Sequence, residues 1–180
     1  ACIDGQGHVV KRFIYGSKPN VPDYMVVDGK EYRIVSDQVG TPQFVLDAQT
    51  GTVVERLSYD EFGNPEAGKA QERGLLASNV GISHLLPFGF AGGIYDRDTG
   101  LVRFGARDYD PVTGRWTAKD PIGFRGGDAN LYGYVLRDPV IFVDPSGRDM
   151  WIEGTLIRMS LACMRAYVLA TLTERVCVLV

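Results

Sequence analysis

Cysteine and histidine are scarce in this chain of 180 residues. Its three cysteines, Cys2, Cys163 and Cys177, are widely separated, and its two histidines, His8 and His84, are far apart. This spacing contains neither a zinc-binding pattern nor a set of cysteines that could form a disulfide framework. We therefore expect no bound metal and no cofactor, and we interpret both histidines as structural residues.

An excess of basic residues is also absent. Lys and Arg number 19 against 22 Asp and Glu, which gives a formal net charge of −3 at pH 7. Nucleic-acid-binding domains usually carry a basic field that attracts phosphate, so the composition argues against a nucleic acid partner. The first residues hold no basic leader and no apolar signal core. The chain begins in the middle of the turn pattern described below, and we expect it to be a piece of a longer protein.

The apolar run at residues 166–172 is too short to span a membrane. A spanning helix needs about 20 apolar residues, and charged Arg165 and Glu174 lie on either side of this run. Residues 150–180 contain one Gly, no Pro and many Leu, Met, Ala and Arg, which are mostly good helix formers. We predict a short C-terminal helical tail that either packs on the rest of the chain or lies at a membrane surface.

Glycine, in contrast, is abundant, with 22 residues, and many of them occur in one short pattern. An Asp is followed three or four residues later by a Gly in eight copies, at 4–7, 37–40, 47–51, 60–63, 96–100, 110–114, 120–123 and 144–147. The Asp side chain can accept a hydrogen bond from the backbone two residues on, and the Gly accepts a positive φ. Each copy therefore predicts a tight turn, and we interpret Gly63, Gly100, Gly114, Gly123 and Gly147 as structural turn residues.

Short runs rich in Val, Ile, Phe and Tyr separate these turns. They predict strands at residues 8–15, 24–28, 31–36, 43–46, 52–59, 92–95, 101–109 and 115–117. The Asp28-Gly29 pair between two such runs is a strong hairpin signal. Residues 66–83 are small and polar and predict a surface loop with a helical turn at 70–76. The fold class is therefore mainly β, built from repeated β-hairpins.

Several motifs now occur in a recognisable order. They are Tyr95-Asp-Arg-Asp-Thr-Gly-Leu101, Arg107-Asp-Tyr-Asp-Pro-Val-Thr-Gly-Arg115, Asp120-Pro-Ile-Gly123, Asn130-Leu-Tyr-Gly-Tyr134 and Asp144-Pro-Ser-Gly147. This series closely resembles the RHS-repeat-associated core domain of RHS and YD-repeat proteins. Upstream, Ser36-Asp-Gln-Val-Gly-Thr-Pro42 and Tyr59-Asp-Glu-Phe-Gly63 resemble the YD-repeats that precede that core. The resemblance covers residues 31–147 well and the first thirty residues loosely.

The resemblance implies a domain organisation. In such proteins β-hairpin strips spiral into a hollow shell, the core domain plugs one end, and the shell encloses a variable C-terminal segment. That segment is commonly a toxin used against competing bacteria or host cells. By this resemblance, residues 1–89 are a YD-repeat strip, residues 90–148 are the RHS-repeat-associated core, and residues 149–180 are a short variable tail in the toxin position.

The same resemblance implies partners and a location. We expect a secreted or cell-surface bacterial effector whose partners are the upstream remainder of the shell and its own C-terminal segment as cargo. An immunity protein or a component of the secretion machinery is a further expected partner. A membrane partner is expected for the tail alone.

The plug of this family resembles an aspartyl autoprotease that cuts the chain after a final Asp-Pro-x-Gly-Leu. Asp120 and Asp144 match the two catalytic positions, and Arg148–Asp149 is the expected cleavage site. Such chemistry needs two neighbouring carboxylates, one ionised to activate a water and one protonated to protonate the scissile carbonyl or the leaving group.

The chain departs from the family pattern near this site. Arg148 stands where Leu is usual, Phe124 replaces another Leu, and Asp138 stands where Asn often precedes Pro139. An apolar pocket built for Leu would disfavour a charged Arg by a few kcal/mol. Two interpretations of Asp120 and Asp144 therefore stay open: catalysis, or turn capping as in the other six copies.

A second function class also stays open. YD-repeats occur in cell-surface proteins that bind carbohydrate or other cells. The chain could therefore be a non-catalytic structural or adhesive module, with its aromatic residues available to stack on sugars.

Overall fold

The computed structural model describes residues 1–66, 85–126, 128–152 and 157–158. Short strands and 3-10 turns make up this part of the chain. The strands are β1 (Cys2–Ile3), β2 (Val9–Ile14), β3 (Tyr24–Val27), β4 (Lys30–Ser36), β5 (Pro42–Asp47), β6 (Val53–Arg56), β7 (Ile94–Tyr95), β8 (Val102–Phe104), β9 (Arg107–Asp110), β10 (Arg115–Trp116), β11 (Phe142–Val143), β12 (Trp151–Ile152) and β13 (Ile157–Arg158). The 3-10 turns span Phe90–Gly92, Gly123–Gly126 and Val135–Arg137. The predicted mainly β fold is confirmed.

Strands β1 to β6 form one sheet in which every strand pairs antiparallel with its neighbour in the sequence. The Asp28-Gly29 hairpin is found as predicted, with Val27 opposite Lys30. Both turn residues have positive φ, 50° and 77°, as a two-residue hairpin loop requires. The residues of this turn thus determine that β3 and β4 pair as an antiparallel hairpin.

A second sheet has the order β10-β9-β8-β7. The prediction of a single strand at residues 101–109 is wrong. The chain reverses direction within this range, and Phe104 pairs with Arg107 in an antiparallel hairpin. Gly105 takes a φ of 47° at this turn. The turn contains no Asp, so the Asp-to-Gly pattern did not indicate it.

Strands β11, β12 and β13 form a third sheet. The described residues at the start of the predicted helical tail are therefore extended, since Trp151 lies opposite Val143 and Ile152 opposite Phe142. Pairing with β11 satisfies the backbone hydrogen-bonding groups of these residues. This gain outweighs the intrinsic helix propensity of the segment, which is a weak preference. The remainder of the tail, and the loop predicted at 66–83 beyond residue 66, lie outside the described residues. Among the described residues, no helix has the length and apolar content to cross a membrane.

Two hydrophobic clusters organise the described part of the chain. The strip cluster lies against the first sheet and contains Val21, Met25, Ile34, Val45, Leu57 and Leu86. The core cluster is larger and rich in aromatic residues; it contains Val39, Phe90, Ala91, Val102, Phe104, Tyr109, Trp116, Tyr134, Val135, Phe142, Val143 and Met150. At its centre the rings of Tyr109 and Tyr134 are 4.4 Å apart.

Polar contacts join the first sheet and the loops beside it to the segment that contributes Ala91 to the core cluster. The Asn20 side chain donates to the carbonyls of Val39 and Ala91, each at 3.0 Å. The Thr41 hydroxyl accepts a hydrogen bond from the Ala91 amide at 2.9 Å. These bonds, together with Val39 in the core cluster, hold the first sheet against the core.

Candidate functional site

Asp144 directly follows β11 and begins the turn that ends at Gly147. Its Oδ1 accepts hydrogen bonds from the Ser146 hydroxyl at 3.0 Å, the Arg148 amide at 3.0 Å and the Asp149 amide at 3.1 Å. The side chain is only 5% exposed. One oxygen of this buried carboxylate therefore holds the backbone on both sides of the Arg148–Asp149 bond.

Asp120 begins the turn that ends at Gly123. Its Oδ1 accepts the Ile122 amide at 2.8 Å, and its own amide donates to the Leu131 carbonyl at 2.9 Å. The side chain is 11% exposed. The hydrogen bond of the turn therefore uses Oδ1, and Oδ2 faces the buried side chain of Arg107.

Arg107, the first residue of β9, lies between the two aspartates. Its Nη1 is 3.2 Å from Asp120 Oδ2, and its Nη2 is 3.0 Å from Asp144 Oδ2. Its Nε donates to the Gly147 carbonyl at 2.6 Å, and the guanidinium carbon lies 4.1 Å from the centre of the Trp116 ring. One buried cation thus holds both carboxylates and the turn that precedes Arg148.

Close backbone contact keeps this arrangement rigid. A Cβ on Gly147, whose φ is 65°, would lie 2.2 Å from the Phe104 carbonyl oxygen and 2.9 Å from the Arg107 amide nitrogen. The Ala106 amide donates to the Ser146 carbonyl at 3.0 Å. The turn carrying Asp144 is therefore pressed against the turn that precedes Arg107.

The Arg148 carbonyl oxygen and Asp120 Oδ2 both lie near Gly126. A Cβ on Gly126 would lie 2.6 Å from Asp120 Oδ2 and 3.8 Å from the Arg148 carbonyl oxygen, so these two oxygens flank the same small space. A cavity of about 30 Å³ is lined by Arg107, both aspartates and Arg148, among other residues. A water needs roughly 10–15 Å³, so the cavity could admit one.

Burial sets the electrostatics of Asp144. Loss of hydration raises its pKa above 3.8, and the hydrogen bonds from Arg148 and Ser146 together with the charge of Arg107 oppose that shift without cancelling it. The exposed Arg148 side chain, in contrast, does not enter an apolar pocket. The free-energy cost of burying a charged Arg148 side chain in an apolar pocket therefore does not arise in this conformation.

The sequence of the chain matches the model of the Teneurin YD-shell over residues 2–140. The chain belongs to the Teneurin YD-shell family. The matched stretch includes Arg107 and Asp120, and Asp144 lies just beyond it. The resemblance to RHS and YD-repeat proteins is thereby confirmed.

Relatives of this YD-shell chain include a bacterial nuclease, a bacterial toxin and an animal protein. The tRNA3(Ser)-specific nuclease WapA of Bacillus spizizenii is 30% identical over 152 residues, which cover 83% of this chain and 6% of the nuclease. Double-stranded DNA deaminase toxin A of Burkholderia cenocepacia is 41% identical over 116 residues, 64% of this chain and 7% of the toxin. Teneurin-3 of Mus musculus is 32% identical over 119 residues, 63% of this chain and 4% of the teneurin.

A solved structure supports the YD-shell fold. The crystal structure of TcdB2-TccC3 matches with a TM-score of 0.53 and 25% identity, over 68% of this chain and 5% of that one. The chain therefore spans less than a tenth of the length of these curated and solved relatives.

The residues predicted for the site from the YD-shell resemblance, Asp120, Asp144, Arg148 and Asp149, lie together in the structure. Arg107, which links the two aspartates, was missed. A signal for it was present, because a strand that alternates between the core and the surface would bury Arg107 together with Tyr109. A charge on a buried strand face needs a partner of opposite charge.

Proposed function

We propose that this chain closes a toxin-encapsulating shell and that its core cuts its own backbone between Arg148 and Asp149. The observation that carries the proposal is the convergence of Asp120 and Asp144 on Arg107 beside that peptide bond. The shell role rests on family membership and on a nuclease and a toxin among the relatives, of which the matched region is less than a tenth.

The two carboxylates suit different steps of hydrolysis. A water in the cavity attacks the Arg148 carbonyl carbon and gives its proton to the Asp120 carboxylate, whose Oδ2 flanks the same small space as the carbonyl oxygen. The C–N bond then breaks, and the Asp149 nitrogen takes the proton that Asp144 carries in its protonated form. In that form Oδ1, 3.1 Å from this nitrogen, donates to it instead of accepting its N–H. The raised pKa of Asp144 favours the proton that a general acid must carry.

Arg107 has a positioning part in this scheme. Its separate contacts to the two Oδ2 atoms hold the carboxylates on either side of the bond, and its contact to the Gly147 carbonyl fixes the approach of the chain. Arg107→Gln is expected to slow cutting and to lower stability, because it leaves two buried carboxylates without a cation.

The test is fragment analysis of the full-length parent and of the 180-residue chain on a denaturing gel, with mass spectrometry. The unmodified protein should give a species ending at Arg148, whereas Asp120→Asn and Asp144→Asn should leave the chain intact. Asp110→Asn is the matched control, because half-buried Asp110 caps the same kind of turn outside the site.

Two results would count against the proposal. One is an unmodified parent that stays intact, which favours the structural or adhesive module. The other is an Asp120→Asn or Asp144→Asn chain that gives the same fragments as the unmodified chain.

A further inference from the structure

A second cavity, which we call the junction cleft, lies where the strip meets the core. It is lined by the turn at residues 60–63 of the strip, by the turn at residues 110–114 of the core and by Arg137, among other residues. Neither Asp120 nor Asp144 lines it. Its volume of about 400 Å³ is within the range that is typical of ligand sites, about 300–1,000 Å³.

Hydrogen bonds hold the two turns together, so the junction cleft is preformed. The Tyr109 hydroxyl donates to the Phe62 carbonyl, and the Asn64 side chain donates to the Pro111 carbonyl, each at 2.9 Å. A Cβ on Gly114 would lie 3.1 Å from the Phe62 ring, which shows that this ring lies closely over the second turn. A ligand therefore meets a surface whose shape is already fixed and does not have to order it on binding.

Two apolar side chains at the junction cleft are open to solvent. Phe62 is 41% exposed, and Val112 is 82% exposed. Among the described residues, neither the strip cluster nor the core cluster includes them. Aromatic residues are enriched in the buried centres of protein interfaces. A ring and a branched aliphatic side chain in one cleft suit an apolar side chain of a peptide.

Two arginines make the junction cleft electropositive. Arg115 and Arg137 are exposed, and neither guanidinium forms an ion pair with another residue in the described part of the chain. Asp60 is the one acidic residue among the described residues that line the cleft. Its carboxylate already accepts the Phe62 and Asn64 amides and the Asn64 side chain. The two arginines thus leave donors free for a carboxylate, which guanidinium binds through paired N–H···O bonds.

The backbone at Arg137 supports a role for this residue in binding. The φ of Leu136 is 56° and that of Arg137 is 65°, in the left-handed region that favours glycine. Val135 and Leu136 pack in or against the core cluster, whereas the Arg137 side chain is exposed at the junction cleft. Such backbone conformations cluster at ligand sites, where the surrounding structure holds them.

We propose that the junction cleft binds an acidic peptide segment of a partner protein. An Asp or Glu side chain of that segment accepts hydrogen bonds from Arg115 and Arg137, and a neighbouring apolar side chain packs on Phe62 and Val112. The carboxylate of Asp60 disfavours a more highly charged anion such as phosphate, because like charges repel. The proposal does not depend on cleavage between Arg148 and Asp149, since the cleft is complete in the uncut chain.

The test is selection of short random peptides, displayed on phage, against the folded 180-residue chain. Binding of the selected peptides is then measured in solution by fluorescence anisotropy. We expect the enriched peptides to carry Asp or Glu next to an aromatic or aliphatic residue, and we expect added salt to weaken their binding. A selection that enriches no acidic peptide would overturn the proposal.

The double variant Arg115→Gln with Arg137→Gln tests the charge of the cleft. It should weaken binding of the selected peptides about ten-fold or more, because it removes charge-assisted hydrogen bonds. The matched control is Arg12→Gln with Lys30→Gln, which removes the same charge at exposed positions of β2 and β4 outside the cleft. Equal weakening by the two double variants would show a general attraction of charge and contradict binding in the cleft.

Val112→Asp covers the case in which the arginine variant fails to fold, as judged by near-UV circular dichroism. Val112 is largely exposed, so the fold should be kept, and the added carboxylate should weaken binding about five-fold or more by repulsion. Unchanged binding in this variant would overturn the proposal. Sodium phosphate alone is titrated as a further probe, and a chain that binds phosphate through the two arginines but binds no acidic peptide would also show the proposal to be wrong.

Discussion

At the scale of single residues, similar turns have different electrostatics. Asp4, Asp47 and Asp96 lie at the surface, where hydrogen bonds from their own turns lower the pKa of each carboxyl. Asp144 occupies the same place in its turn, but burial raises its pKa. The turn motif therefore determines backbone shape, and the surroundings determine what the carboxylate can do.

Glycine at the exit of each turn has two separable roles. Gly100 and Gly147 both have positive φ, 74° and 65°, and replacement by Ala at either should cost about 1–2 kcal/mol of stability from backbone strain. An added Cβ at Gly100 meets nothing within 4 Å, whereas at Gly147 it meets the Phe104 carbonyl oxygen at 2.2 Å. We expect Gly147→Ala to cost more than about 4 kcal/mol, measured by urea unfolding. Equal costs at the two positions would contradict the close packing of the two turns.

The raised pKa of Asp144 predicts a pH dependence of stability. Between pH 3.8 and its raised pKa, the folded chain keeps a proton that the unfolded chain has lost, so this residue makes stability fall as pH rises. Asp144→Asn should therefore flatten the fall of the unfolding free energy as the pH rises above about 4.

Asp96→Asn is the control for this measurement. The pKa of Asp96 is lowered in the folded chain, so the stability that this carboxylate contributes to the fold is present above pH 3.8. That contribution is lost as the pH falls through the pKa of Asp96 in the folded chain. The control should therefore keep the unmodified slope above about pH 4. Parallel curves for Asp144→Asn and the unmodified chain over this range would refute the prediction.

At the scale of elements, short pieces are held in shapes that they would not keep alone. Val135, Leu136 and Arg137 all have positive φ, between 39° and 65°, although none is glycine. Each such residue costs about 1–2 kcal/mol. Burial of Val135 in the core cluster and a hydrogen bond from the Arg137 amide to the Tyr134 carbonyl at 2.8 Å help to offset that cost.

The contact between strip and core also belongs to this scale. Thr41 is 2% exposed, and its hydroxyl accepts the buried Ala91 amide. Thr41→Val keeps the shape but removes the acceptor, which should cost about 1–3 kcal/mol of stability in urea unfolding. Thr113→Val at an exposed turn should cost less than about 0.5 kcal/mol. A loss at Thr41 no larger than at Thr113 would show that this hydrogen bond does not hold the two parts together.

At the scale of the whole molecule, two clusters with different compositions depend on each other. Val39 from the strip lies in the core cluster, and the Tyr109 hydroxyl of the core donates to the Phe62 carbonyl of the strip at 2.9 Å. The Asn64 side chain donates to the Pro111 carbonyl at 2.9 Å. The aspartates are thus supported both by the core and by the strip that precedes it.

The sequence by itself determined the turns of the Asp-to-Gly pattern, the strands β2 to β6 with the Asp28-Gly29 hairpin, and the family. These features are local, because Asp-to-Gly spacing and the Asp28-Gly29 pair act on neighbouring residues. The tertiary structure alone decided that Arg107 lies between Asp120 and Asp144 and that the chain after Arg148 joins β11. The contacts of Arg107 join residues that are 13 and 37 positions apart in the sequence. The energy of these contacts comes from burial and from the pairing of opposite charges, which no local sequence pattern records.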